Sequence, residues 1–247
     1  MNYSSLPQGV GGTVRHAMAV ASLGIAAAAA GCGLISSDVT NFDLTLPEKR
    51  FTIDMGGWQV DSNAADTYLM RSCSSNPQLC NNAVQSVCTM NCSGACGAEN
   101  TCELSLDISG RQPVDLVMER PELKSINDEP VIKVTIDSVT YEITFNTLNI
   151  DTPEFTVYVA PASVFATSDP QAKAIGKIEP VPAGWVTDAP HPFTFTAAGR
   201  AELVNLMSSF KTPFNVLVGS SLLLTASDPV PMGKLDAVLH IKGHAGL

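Results

Sequence analysis

The sequence predicts a mainly β protein: an antiparallel β-sandwich of about eight to ten strands, with one packed α-helix and a small disulfide-rich insert. Stretches in which apolar and polar residues alternate recur along the chain, separated by many of its 18 glycines and 16 prolines. Such alternation is typical of strands with one buried and one solvated face. Only one segment, near residue 200, has convincing helical spacing, and six cysteines fall within residues 73–102.

The N-terminal region has the pattern of an export signal. Residues 17–30 carry no charge, and Arg15 is the only formally charged side chain before them. This apolar segment is shorter than the roughly 20 residues that a membrane-spanning helix needs, which favours a secretory signal. The sequence allows two alternative sites of cleavage by a signal peptidase. Ala28 and Ala30 form an A-x-A site that would release a soluble protein, whereas cleavage before Cys32 would make that cysteine the first residue.

The run Ala29, Ala30, Gly31 and Cys32 resembles the lipobox of bacterial lipoprotein precursors, with Ala29 where that family usually has leucine. The resemblance implies that the Cys32 thiol carries a diacylglycerol and that the new amino group is acylated, for example by palmitate. In that family, a non-acidic residue such as Gly33 after the cysteine is typical of proteins sorted to the outer membrane. The chain has seven cysteines, and assigning Cys32 to lipid leaves six that can all pair.

The chain divides into a signal peptide (1–31), a lipidated N-terminus and tether (32–40) and a β-sandwich domain (41–247) with the insert at 73–102. From Cys32 onward there are 24 acidic and 13 basic residues, a net charge of −11. This charge and the lack of a Lys/Arg cluster argue against nucleic acid as a partner. The expected partners are the membrane, through the lipid anchor, and an unknown envelope protein or polysaccharide.

The insert is poor in apolar residues and rich in Ser, Asn and Gly, so disulfide bonds are expected to replace a core there. Six cysteines allow 15 connectivities, and spacing does not choose among them. No C-x2-C pair is present, which argues against a zinc knuckle and a thioredoxin-type site. A partly helical piece is also expected, because three of the cysteines are spaced by four residues. The six are Cys73, Cys80, Cys88, Cys92, Cys96 and Cys102.

The strands follow from the alternation on either side of the insert. Before it, two short strands flank Pro47. After it, alternating residues continue from Leu104 to Met118, and two runs meet at Asp137 and Ser138, which predicts a hairpin. A strand ends at Pro161, a long ordered connection (160–189) has a short strand near Ile178, and a brief strand spans 193–195.

The end of the chain contains the predicted helix and two strands. Thr196 is the expected N-cap of the helix, and Leu203, Met207 and Phe210 recur at helical spacing before Pro213. The two last strands (214–226 and 235–242) are predicted to pair, with a bulge at Gly219.

Few residues indicate chemistry. His240 and His244 would share one strand face with Lys242, as a metal pair or, more simply, as a solvated face. Asp54, Asp61 and Asp66 lack the D-x-D-x-D-G spacing of a calcium loop. Trp58 and Trp185 are either exposed recognition aromatics or core residues. His191 lies between two prolines with no partner indicated by the sequence.

The sequence has no recognised catalytic or nucleotide-binding motif and indicates no cofactor. We therefore expect a non-enzymatic, membrane-anchored envelope lipoprotein with a binding or structural role. Two alternatives stay open: an envelope hydrolase with carboxylates scattered in sequence, and a carrier of an apolar ligand.

Overall fold

A computed structural model describes residues 41–125 and 132–246, which form two antiparallel β-sheets. The predicted signal peptide, Cys32 and the tether lie outside the described residues. The eleven strands within the described ranges are β1 (Asn41–Asp43), β2 (Lys49–Asp54), β3 (Cys92–Cys96), β4 (Cys102–Val114), β5 (Lys133–Asn146), β6 (Phe155–Pro161), β7 (Lys173–Ile178), β8 (His191–Pro192), β9 (Thr194–Phe195), β10 (Phe214–Leu224) and β11 (Lys234–Gly246). The α-helices there are α1 (Ser62–Leu69), α2 (Gln78–Ala83), α3 (Leu116–Glu119) and α4 (Ala197–Ser208).

The first sheet is built around β11. Strand β5 pairs with one edge of β11, while β1 and β2 follow one another along its other edge, and β8 extends the sheet beyond β5. Asn41 is opposite Gly246, and Asp54 is opposite Lys234. We call the end of the sandwich where β1 begins and β11 ends the near end. The opposite end, where β2 ends and β11 begins, is the far end.

The second sheet has the order β3-β4-β10-β6-β7-β9. Its midline is a row of paired residues across five strands: Ser109, Gly219, Thr156, Lys177 and Thr194. Contacts between the sheets fix their relative direction. The Lys49 amine lies 2.6 Å from Glu119 Oε1, and the Trp58 indole N–H donates to the Asp107 carbonyl at 3.0 Å. The C-terminus of β4 therefore points toward the near end and its N-terminus toward the far end.

The predicted fold class is confirmed: mainly β, with antiparallel sheets, few helices and three disulfide bonds. One continuous core joins the facing sides of both sheets, including Leu104, Val157 and Val216 from the second and Ile143 and Ile241 from the first. All five are at most 2% exposed. Their alternation with exposed residues is the period-two pattern of a sheet with one buried face.

The predicted helix is α4, and its predicted cap is correct. The Thr196 hydroxyl accepts a hydrogen bond from Gly199 N at 2.9 Å, and Leu203 and Met207 are fully buried. A Cβ at Gly199 would lie 2.2 Å from the Ile175 carbonyl oxygen, so glycine permits this close approach to β7.

Several local predictions are wrong. Asp137 and Ser138 do not form a hairpin turn, because β5 is continuous across them. In the pairing with β11, Ser138 is opposite Lys242 but Ile136 is opposite Gly243, and this register shift displaces Asp137. A bulge adds one residue and reverses which positions face the core, so it mimics the change of phase that predicted a turn.

Two more predictions about strands fail. Gly219 keeps regular pairing on both sides, and its small size instead makes room for Thr167, which lies 2.8 Å from a Cβ built there. The last two strands do not pair, because β10 belongs to the second sheet and β11 to the first. Residues 116–119, expected to continue an alternating run, form α3, capped by Asp115.

A connection after β6 covers part of the outer face of the second sheet. Asn215 is 1% exposed, and its amide donates hydrogen bonds to the carbonyl oxygens of Ala162 and Val164 at 3.1 and 2.8 Å. These bonds hold the connection against β10, where Val164 packs on Leu217. No helix in the two described ranges combines the length and hydropathy that crossing a membrane requires.

Candidate functional site

The six cysteines of the insert form three disulfide bonds, as expected for a region without a core of its own. The pairs are Cys73–Cys96, Cys80–Cys102 and Cys88–Cys92, with Cα–Cα distances of 5.8, 5.4 and 6.4 Å. These distances lie within the usual range for disulfides. The structure therefore selects one of the connectivities that the sequence left open.

The bridged insert is only partly helical, and not where cysteine spacing predicted. Cys92 and Cys96 bound strand β3, which extends the second sheet beside β4, whereas the helical segments precede Cys88. Asn91 has φ of 54°, a left-handed conformation that interrupts a right-handed helix immediately before β3. The expectation of one helix through Cys88, Cys92 and Cys96 is thus wrong.

The insert is fixed to the sandwich by a buried tyrosine. The Tyr68 hydroxyl lies 3.1 Å from the Cys80 carbonyl oxygen and 3.2 Å from that of Glu103, so it bridges the insert and β4. Burial raises the pKa of Tyr68 to about 12. A Cβ at Gly94 would come within 2.0 Å of the Tyr68 hydroxyl oxygen and 2.7 Å of the Cys80 carbonyl oxygen. Glycine is required at this position.

The two histidines of the last strand lie on the outer face of the first sheet and are each next to a carboxylate. His244 Nδ1 is 2.9 Å from Asp137 Oδ1, which the register shift in β5 displaces. His240 Nε2 is 3.3 Å from Glu142 Oε1, although the angles are not those of a hydrogen bond. Within residues 41–125 and 132–246, no three His, Cys, Asp or Glu side chains are placed to hold a metal ion.

Two of the three carboxylates considered for calcium, Asp54 and Asp61, have structural roles. Asp61 caps α1 by accepting a hydrogen bond from Ala64 N at 2.8 Å. Asp54 accepts one from Gly56 N and is ion-paired with Lys234 at 2.8 Å. The hydrogen bonds from Lys234 and Gly56 lower the pKa of Asp54. The hydrogen bond to Asp54 and the charge of Asp54 raise the pKa of Lys234.

The candidate functional site is a pair of adjacent clefts at the far end, which we call the far clefts. They share Asp54 and flank the 3₁₀ turn Met55–Trp58. The larger, about 320 Å³, lies between this turn and the connection from β10 to β11, with Gln59, Met232 and Lys234 in its wall. The smaller, about 190 Å³, is lined by Asp54, Trp58, Asn91, Asp107 and Ser109, among others.

The smaller cleft offers free hydrogen-bonding groups. Asp107, Asn91 and Ser109 are exposed, and their side chains make no hydrogen bond or ion pair within the described part of the chain. Together they provide a carboxylate, an amide and a hydroxyl, which can both donate and accept. Trp58 is 5% exposed and belongs to the core, while Trp185 is partly buried against His191. The exposed-aromatic interpretation is therefore wrong for Trp58, whereas Trp185 is partly buried and partly exposed.

Sequence reasoning missed the far clefts because their walls come from segments far apart in the chain. Gln59 and Asn91 both have positive φ, and the Thr89 hydroxyl lies 3.1 Å from the Gln59 side-chain oxygen. Asparagine adopts positive φ more readily than most residues, so Asn91 is a weak sequence signal of the turn at this site. Glutamine has no such preference, so Gln59 gives no signal.

The space between the sheets is small. An apolar slot bordered by Phe51, Tyr141, Ile143, Phe155 and Val218, among others, has a volume of about 30 Å³. This is far below the roughly 150 Å³ of a cavity that holds benzene, so the slot is too small for a lipid or another apolar ligand of that size.

Comparison with known proteins gave no match: no family, no curated protein and no solved structure is significantly similar to this chain.

Proposed function

We propose that the chain is an exported bacterial lipoprotein, held on a membrane by acyl groups on Cys32, with a non-enzymatic binding role in the envelope. The outer membrane is the expected location, from the resemblance at Gly33, with the domain facing the periplasm or the cell surface. The far clefts are the proposed contact with an envelope protein or polysaccharide.

The observation that carries the proposal is the use of the cysteines. Six of the seven bond one another in three disulfides, so Cys32 has no cysteine of its own chain left to pair with. Disulfides form and persist in oxidising compartments, which supports export. A seventh cysteine directly after an apolar signal then has a chemical use as the lipid carrier. Several acyl chains give stable anchoring, since each buried methylene contributes about 0.8 kcal/mol.

The state of Asp54 restricts how the hydrolase alternative could work. Asp54 and Asp107 line the same cleft, which is the arrangement that a two-carboxylate hydrolase would need. Asp54 is ion-paired with Lys234, and its pKa is lowered, so near neutral pH it is not the proton donor, and a hydrolase would need the exposed Asp107 in that role.

The anchor is tested by fatty-acid labelling and membrane fractionation of the full chain in a bacterial host. The wild type is expected to incorporate label and sediment with membranes, and Cys32→Ala to do neither. A Cys32→Ala protein that stays labelled and membrane-bound would show that the anchor is elsewhere.

The binding role needs a separate experiment. Envelope extract is passed over the immobilised full chain and over its Asp107→Asn and Asp188→Asn variants. Both residues are exposed carboxylates, but only Asp107 lines a far cleft. A specific partner should be lost with Asp107→Asn and retained with Asp188→Asn. Equal capture by all three proteins would remove the clefts from the proposal.

A further inference from the structure

We infer that the near end of the sandwich is the lipid-facing surface, and that the far end, with the bridged insert and the far clefts, is held away from the membrane. This inference rests on the proposed acylation of Cys32. It follows from the reach of the chain before β1 and from the distribution of charge between the two ends.

The reach of the tether limits the orientation. Nine residue steps separate Cys32 from Asn41, which extend at most about 32 Å. Strand β11 runs from the far end to the near end in twelve steps, about 40 Å. Asn41 is paired with Gly246 at the near end. If the far end rested on the lipid with its strands upright, Asn41 would lie beyond the reach of the tether.

Charge opposes a sideways orientation in which the far half lies on the membrane. The far half comprises residues 54–110, 142–156, 177–195 and 219–236, which contain 13 acidic and 3 basic residues, a net charge of −10. The rest of the chain from Cys32 has a net charge of −1. A surface of anionic lipids therefore repels the far half much more strongly than the near half.

The near end also has groups that suit a lipid surface. Met118, on α3, is 75% exposed. Hydrogen bonds from Thr45 lower the pKa of Asp43 of β1, and the nearby cations Arg120 and Lys242 lower it further. Lys133 starts β5 opposite Gly246, and Lys124 lies in the 3₁₀ helix Pro121–Ser125. These cations are interleaved with Asp43, Glu119 and Asp137, so the surface is mixed rather than strongly basic.

The test uses two exposed methionines as matched positions. Met118 is in the near half, and Met232, 61% exposed, lines the larger far cleft. Met118→Trp and Met232→Trp are made separately in the lipidated full chain, which is reconstituted in phosphatidylethanolamine–phosphatidylglycerol vesicles with brominated acyl chains. Bromine quenches tryptophan only at short range. Trp58 and Trp185 contribute the same background to both proteins.

Quenching is expected to be several-fold stronger for Met118→Trp than for Met232→Trp. Charge reversal of Lys124, Lys133 and Lys242 to Glu should reduce quenching at position 118. Charge reversal of Arg71, Lys177 and Lys234 in the far half changes the net charge by the same amount. It should not reduce quenching at position 118. Equal quenching at both positions, or stronger quenching at 232, overturns the inference while leaving acylation intact. A chain that carries no acyl mass overturns the proposed function, and this inference with it.

Discussion

Removal of a disulfide that closes a long loop should destabilise the domain more than removal of one that closes a short loop. Cys80–Cys102 closes a loop of 22 residues and Cys88–Cys92 a loop of 4. In the chain-entropy model, these bonds contribute about 3.4 and about 1.9 kcal/mol respectively, through the freedom that they remove from the unfolded chain. The expected difference is thus about 1.5 kcal/mol.

The measurement is guanidinium unfolding of the Cys80→Ala/Cys102→Ala and Cys88→Ala/Cys92→Ala double variants. Both are made in a Cys32→Ser background, which removes the anchor and the spare thiol. Cys80 and Cys102 are fully buried and Cys88 is 2% exposed, so loss of packing adds to both values. The product of midpoint and slope gives the free energy of unfolding.

The order of the two variants decides the outcome. Greater loss of stability in the Cys80/Cys102 variant supports the pairing and the entropic account. An equal loss, or a greater loss in the Cys88/Cys92 variant, would refute the argument that these bridges act mainly by restricting long loops.

Gly94→Ala should destabilise the protein by more than 1 kcal/mol, because the new methyl group would meet the Tyr68 hydroxyl and the Cys80 carbonyl. Gly57→Ala is the control, since nothing lies within 4 Å of a Cβ built there. Equal unfolding midpoints for the two variants would contradict the packing described. Asn215→Ala should cost about 1–3 kcal/mol and make residues 162–172 sensitive to limited proteolysis, because the buried Val164 carbonyl and the partly buried Ala162 carbonyl lose their donor. Unchanged proteolysis would argue against this role. The raised pKa of Tyr68 means that its contribution to stability is complete below pH 10 and is lost as pH rises through about 12. Burial also raises the pKa of Tyr141, so tyrosinate absorbance should show more than one late-titrating group, and Tyr68→Phe should remove the one that titrates near pH 12. An unchanged titration curve in Tyr68→Phe above pH 11 would contradict the burial of Tyr68. Lys234→Met should raise the pKa of Asp54 toward its ordinary value of 3.8, which an NMR titration would measure. In the wild type, the ion pair stabilises the fold above pH 3.8, and this stabilisation is lost as pH falls through the lowered pKa of Asp54. An unchanged pKa of Asp54 in the variant would mean that the ion pair is not formed in solution.

The elements that the sequence predicts well are those set by neighbouring residues. The helix α4 follows from a side-chain cap at Thr196 and a buried stripe within the same twelve residues. The two short strands before the insert and the strand ending at Pro161 follow from alternation alone. In each case, the deciding interactions are local or depend only on which face is buried.

The failures occur where two local patterns have the same appearance. A change of phase at Asp137 fits a turn or a bulge, and only the pairing with β11 distinguishes them. Cysteines four residues apart could share one face of a helix. Cys92 and Cys96 instead bound strand β3, whose central residue, Gly94, lies against Tyr68. The far clefts were not predicted, because Asp54, Asn91 and Asp107 line one cleft only through the packing of separate segments.

The central claim, an exported chain tied to lipid through Cys32 with its other cysteines bridged, is tested most directly by the intact mass of the protein purified from a bacterial membrane. The account predicts a chain that begins at Cys32, carries diacylglycerol and an amide-linked acyl group, and gains six hydrogens when its three disulfides are reduced. A chain that begins at Gly31 without lipid, or one that retains residues 1–31 with every thiol free, would contradict it.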